Sequence, residues 1–186
     1  MKKVVITFGL LAGLIIASIV WLTASLVEAN AIGFDRLEVV GYASMLVALT
    51  MVFFGIKSYR DNYSNGKITF WKGVQVGLLI SVIAGVMYWG GATSYGIAHP
   101  GFDERFMKRF ADLKVGQLQQ QGAARTEIDE AKAEVEMMAG LFKNPLLFFL
   151  ICMVEIMPVG IVVSLVSAGL LRKRELLPAA QAQYEN

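Results

Sequence analysis

Hydrophobic positions in this chain come in long unbroken runs, without the period-2 alternation of a half-buried strand. The first run covers 4–27, 24 residues with no charge, behind Lys2 and Lys3. The second covers 39–56, 18 residues bounded by Glu38 and Lys57. The third comes after Lys72 and stays uncharged from 73 to 98, and the fourth, 145–171, holds a single charged residue, Glu155. About 20 helical residues, rising about 1.5 Å each, cross a hydrocarbon core of about 30 Å. All four runs are long enough, the second only just. Lipid offers no partner to backbone N–H and C=O groups, so each crossing must be a helix. A β-barrel would need alternating segments of about ten residues, and these runs do not alternate. The pattern predicts an all-α integral membrane four-helix bundle, one domain with crossings at about 4–27, 39–56, 73–97 and 145–171.

Between the third and fourth crossings the pattern changes to one-sided stripes. Phe102, Phe106, Phe110 and Leu113 recur at helical spacing among Asp103, Arg105, Lys108 and Arg109. After Gly116 and a glutamine-rich stretch, Thr126-Glu127-Ile128-Asp129 has the form of a helix start. Ile128, Ala131, Val135, Met138 and Phe142 then mark a second apolar face. Asn144-Pro145 reads as the cap and first-turn proline of the last crossing. Residues 99–144 are therefore expected to form two amphipathic helices joined by a Gly/Gln turn, folded back on the bundle as a lid or lying at the interface. Docking a partner or gating a substrate is the alternative for this segment.

Composition agrees: 56% of the 186 residues are hydrophobic and only 17% charged, with mean hydropathy +0.57, where a soluble domain is about a quarter charged. The net charge of +2 comes from 17 basic and 15 acidic residues and gives no reason to expect a nucleic-acid partner. Placement says more than the sum. Lys2, Lys3, Lys57, Arg60, Lys67, Lys72, Arg172, Lys173 and Arg174 fall on one side of four crossings, against Arg36 in the opposite short loop 28–38. The positive-inside rule then puts both termini, including the tail 172–186, in the cytoplasm and 99–144 outside. Lys2-Lys3, the first apolar run and Ala29-Asn30-Ala31 also resemble a cleavable leader, but the run of 24 residues exceeds the roughly 7–15 of a leader core, so a retained helix is expected.

Candidate chemistry is sparse. Cys152 is the only cysteine and His99 the only histidine, which rules out an internal disulfide and argues against a Cys/His metal set. Phosphate-loop, nucleophile-elbow and H-E-x-x-H motifs are absent, so neither catalysis nor a cofactor is expected. Glu155 stands out. Ten residues after Pro145, it lies about 15 Å down its helix, near the midplane. A charge there costs about 2.5–3.5 kcal/mol on insertion scales, which the helix's sixteen Leu, Ile, Val and Phe, at about 0.3–0.6 kcal/mol each, offset. No basic residue matches its depth; Ser18, Ser44, Thr50, Ser81 and Tyr88 do. A protonated carboxyl hydrogen-bonded to a hydroxyl is expected, with proton or ligand handling as the functional reading. Pro158, one turn on, removes a backbone donor beside it.

Small residues recur four apart at Gly73, Gly77, Ser81 and Gly85, again at Gly160, Ser164 and Ala168, and at Gly9 and Gly13. In lipid such stripes let helices approach closely, within the bundle or in a homo-oligomer. Lys57, Arg60, Lys67 and Lys72, with Phe70 and Trp71 beside them, fit contacts to anionic headgroups at the interface.

The run Phe54-Gly55-Ile56-Lys57-Ser58-Tyr59-Arg60-Asp61, then Asn65-Gly66-Lys67-Ile68-Thr69-Phe70, Gly73 and Gly77, with Phe142-Lys143-Asn144-Pro145 later, resembles domain-of-unknown-function family 4199 over nearly the whole chain. The resemblance implies a small bacterial inner-membrane protein and carries no activity, cofactor or catalytic residue. The favoured reading is a non-enzymatic accessory or structural component of a cell-envelope assembly, partnered by lipid and by another envelope protein or a second copy. The alternative is a small transporter or proton-coupled permease subunit using Glu155. A weaker third is a subunit acting on lipid-linked intermediates at the membrane surface.

Overall fold

Caps and turn residues, rather than the ends of the apolar runs, set the helix boundaries. The computed structural model describes residues 1–172, apart from the side chains of Asp35 and Glu38. These residues form α1 (Lys2–Glu28), α2 (Phe34–Tyr63), α3 (Phe70–Ala98), α4 (Phe102–Gln120), α5 (Arg125–Lys143) and α6 (Pro145–Leu171). Four of them, α1, α2, α3 and α6, are long and apolar enough to cross a membrane. The protein is an integral membrane four-helix bundle carrying an amphipathic helical hairpin, α4–α5, between the last two crossings.

The Asn144 side chain caps α6 as its sequence predicts, accepting from the Leu146 and Leu147 amides at 3.0 and 3.3 Å with Pro145 in the first turn. Thr69 caps α3 by accepting from the Lys72 amide at 3.4 Å, so α3 starts at Phe70, ahead of the uncharged run. α2 differs most from expectation. It runs 30 residues, because charge does not stop a helix and nothing from Lys57 to Tyr63 breaks one. The chain leaves only where Asn65 and Gly66 take φ of 49° and 71°. The expected basic loop 57–72 is thus a turn at 64–69, with Lys57 and Arg60 riding on α2 and Lys72 on α3. α5 begins before Thr126: Ala124 is its N-cap residue, and Glu127, rather than Asp129, reaches back to accept the Ala124 amide at 3.2 Å.

In cross-section α3 lies between α1 and α6, and α2 also touches both, leaving α1 and α6 at opposite corners. The small-residue stripes make this possible. A methyl built on Gly73 would sit 2.9 Å from Ala168 Cβ, one on Gly160 would sit 2.7 Å from Ser81 Cβ, and one on Gly77 would collide with Ser164. On the other side of α3, a methyl on Gly9 would lie 2.7 Å from Ile83 Cβ and one on Gly91 2.9 Å from Ala17 Cβ. The stripes are taken up inside the chain as helix-packing faces. Val5, Leu49, Val52, Ile56, Val76, Ile80 and Leu171 fill the core beside them.

Arg60 is fully buried in that same half. Its Nε donates to Asp61 Oδ1 at 2.6 Å and its Nη1 to the Leu171 carbonyl at 3.3 Å, at the C-terminus of α6. A guanidinium there meets both the orphan carbonyl and the negative end of the helix dipole. Arg60 therefore ties α2 to α6 inside the protein, a different task from the headgroup contact its sequence suggests. Lys57 and Lys72 are half-exposed and Lys67 is exposed. Lys173, Arg174 and the rest of the tail lie outside the described residues.

Candidate functional site

The four-residue stripe on α3 ends at Gly85, and beyond it, toward the hairpin, Tyr88 and Trp89 follow, while Gly91 keeps α3 close to α1. Trp89 meets Phe149 of α6 edge-on at 5.7 Å between ring centres, and Tyr88 projects beside it. Large side chains meet there, where small ones face one another in the other half. Among the described side chains, α6 buries nothing before Cys152 and α2 nothing before Met45. The hairpin-end half of the bundle is accordingly hollow. A cavity of about 540 Å³ opens between α1, α3 and α6, roofed by Phe102 and Phe106 of α4 and Phe142 of α5. A second, of about 260 Å³ on the α2 side, shares Val20, Ala24, Tyr88, Phe102 and Phe106 with it. Volumes of about 300–1,000 Å³ are typical of small-molecule sites.

The cavity is apolar with a few polar groups. Tyr88 and Glu155 lie at its floor, ten residues from the ends of α3 and α6 respectively, about 15 Å from that membrane face. The Tyr88 hydroxyl donates to Glu155 Oε2 at 2.7 Å. This is the hydroxyl partner that depth-matching anticipates. Three other hydroxyls of that set point elsewhere: Ser44 donates to the Gly41 carbonyl at 2.7 Å, Thr50 to that of Val47 at 2.6 Å, and Ser81 to that of Gly77 at 3.1 Å. Ser81 is buried against Gly160 in the packed half, away from the cavity. Pro158 is exposed on the outside of α6 and does not line the cavity. The structure brings together Tyr88 and Glu155 and leaves Ser81 and Pro158 apart. Thr93, absent from that set, lines the cavity wall with a buried hydroxyl that has no hydrogen-bond partner among the described residues.

The roof is fastened to α1 by groups the sequence did not bring forward. Arg105 pairs with Glu28, whose other oxygen accepts from the Tyr95 hydroxyl at 3.1 Å. Arg109 Nη1 donates to the Val27 carbonyl at 3.0 Å, capping the end of α1. Tyr95 also stacks on His99 at 4.1 Å and meets Phe102 at 4.8 Å. The legible signal was Arg105 and Arg109, one turn apart beside an aromatic stripe and able to reach carbonyls left open at a helix end. Among the described residues no group of three or more His, Cys, Asp or Glu is arranged to hold a metal ion. The chamber presents apolar walls, the hydrogen-bonded Glu155 carboxyl, a second carboxyl at Asp103 and the Thr93 hydroxyl.

Residues 7–173 match the model of a family described as "Protein of unknown function (DUF4199)". The chain belongs to that family. The matched stretch of this DUF4199 protein spans α1 from its second turn to the end of α6, with the hairpin inside its bounds. No curated protein and no solved structure matches the chain.

Proposed function

We propose that this DUF4199 protein is a non-enzymatic accessory component of a bacterial cell-envelope assembly, and that its working part is the hairpin-end chamber. The observation that carries this reading is the Tyr88–Glu155 pair on the chamber floor. A bundle that only had to pack would be more stable with leucine there, since a central carboxyl costs about 2.5–3.5 kcal/mol on insertion scales. Facing a cavity, the same carboxyl can meet a guest.

The proposed setting is the inner membrane, with α1 retained, both termini cytoplasmic and the hairpin outside. Support comes from charge: Lys2, Lys3, Lys57, Lys67, Lys72 and Arg172 all lie near or beyond the helix ends opposite the hairpin. Retention of α1 is supported by its packing, since Val5, Ala12 and Ile16 belong to the bundle's core. Lys57, with Phe8, Met51 and Phe54, lines a shallow groove at that end that suits a lipid headgroup and its first chain carbons.

A second reading, a small transporter or proton-coupled permease subunit, is favoured by one specific feature: Glu155 opens to a cavity instead of being sealed between helices. Two experiments test these readings. Mild-detergent purification should bring down an envelope membrane protein; a chain that travels alone overturns the accessory role. In a strain lacking the native copy, E155Q should accumulate normally and fail to restore envelope integrity, and full restoration by Glu155→Leu would remove Glu155 from the function.

A further inference from the structure

The chamber's walls carry charge of one sign. Of the side chains lining it, Glu155 at the floor and Asp103 at the rim are acidic, and none is Lys or Arg. The rest of the lining is aromatic and aliphatic, with Tyr88, Tyr95, Phe102, Phe106, Phe142 and Phe148 arranged around the space. Tyr88 occupies Glu155 Oε2, and Oε1 has no hydrogen-bond partner among the described residues. The nearby basic groups are otherwise placed. Arg105 is paired with Glu28, Arg109 is engaged by the Val27 carbonyl, and Lys143 lines a separate cleft with Asp103 and Glu104.

A membrane-buried cavity with an anionic floor and aromatic walls suits one class of guest. We propose that the chamber binds a monovalent organic cation with an apolar body, such as a protonated hydrophobic amine or a lipophilic quaternary ion. The inference rests on the reading of the chamber as the working part. The positive centre lies against the Glu155 carboxylate, ring faces of the aromatic wall meet the remaining charge, and the apolar body fills space now empty. An anion meets no cationic side chain in this lining, and a strongly hydrated metal ion finds no oxygen cage among the described residues. The other titratable groups lining the chamber are Tyr88 and Tyr95 of α3, Cys152 of α6 and, at the rim, Asp103 of α4; α1 and α5 present only Val20, Ala24 and Phe142.

Purified full-length protein in detergent can be titrated with tetraphenylphosphonium and, as a probe of nearly the same shape and opposite charge, tetraphenylborate. The phosphonium should bind saturably at one site. E155Q, judged folded by its thermal melt, should weaken binding at least about tenfold, the loss of one opposite charge in a poorly screened site. The borate should show no saturable binding. Equal binding of both ions, or undiminished phosphonium binding by folded E155Q, overturns the cation assignment while leaving the chamber as a binding site. Failure of both ions to bind overturns the chamber reading as well. The two-ion comparison needs no variant, so an E155Q that misfolds does not blunt it.

Discussion

The two halves of this membrane domain are built from the same four helices and differ in almost everything else. In the half around Arg60, glycine, serine and alanine bring α3 and α6 into backbone contact, and leucine, isoleucine and valine close the centre. In the half under the hairpin, tyrosine, tryptophan and phenylalanine stand where the small residues were, and about 540 Å³ is left open. Even the polar groups divide. Arg60 holds helices together, whereas Glu155 meets one tyrosine and otherwise faces space. The contrast shows that lipid-facing hydrophobicity and internal packing are separate properties. Both halves are apolar outside, with Val162 and Val166 exposed on one and Leu146, Leu150 and Val154 on the other. Only in one do small residues bring α3 and α6 together.

That contrast is easy to attack. Gly160→Leu should be the most damaging change, because its side chain would enter the Ser81 contact with no room to relax; a loss of at least about 3 kcal/mol is expected in denaturant unfolding of the detergent-solubilised protein. Arg60→Met should come next, at about 2–3 kcal/mol in the same assay, since it uncaps α6 and strands Asp61 at 12% exposure. Gly90→Ala should be the mildest, within about 0.5 kcal/mol, because nothing lies within 4 Å of an added methyl. A Gly90→Ala loss as large as that of Gly160→Leu would erase the distinction between a packed and a hollow half.

Much of this could be read along the chain, because membrane solvation acts on each segment separately. The four crossings, the two hairpin helices, the Asn144-Pro145 start of α6 and the depth of Glu155 all come from local rules of period, length and capping. Features that depend on two segments at once escaped the sequence. The run from Lys57 to Tyr63 reads as a loop by charge, yet stays helical because its helix is already nucleated and no breaker arrives before Asn65. Arg60 reads as a surface anchor until the end of α6 is set beside it. The chamber needs bulky residues of α3 and α6 to meet, which no single run of residues records, and Thr93 and the Glu28–Arg105–Tyr95 cluster gain meaning only once α4 folds back over α1.

The alternation of small residues has one last implication. A stripe that repeats every four positions is nearly indifferent to sliding by one repeat: moved a turn along α6, Gly77 would face Gly160 and Gly73 would face Ser164, still small against small. Alignment must therefore come from something that occurs once. Tyr88 and Glu155 are such a mark, because a slide of one turn, about 6 Å, carries hydroxyl and carboxyl out of reach. The same two side chains that floor the chamber act as the notch by which two otherwise interchangeable surfaces find their proper setting.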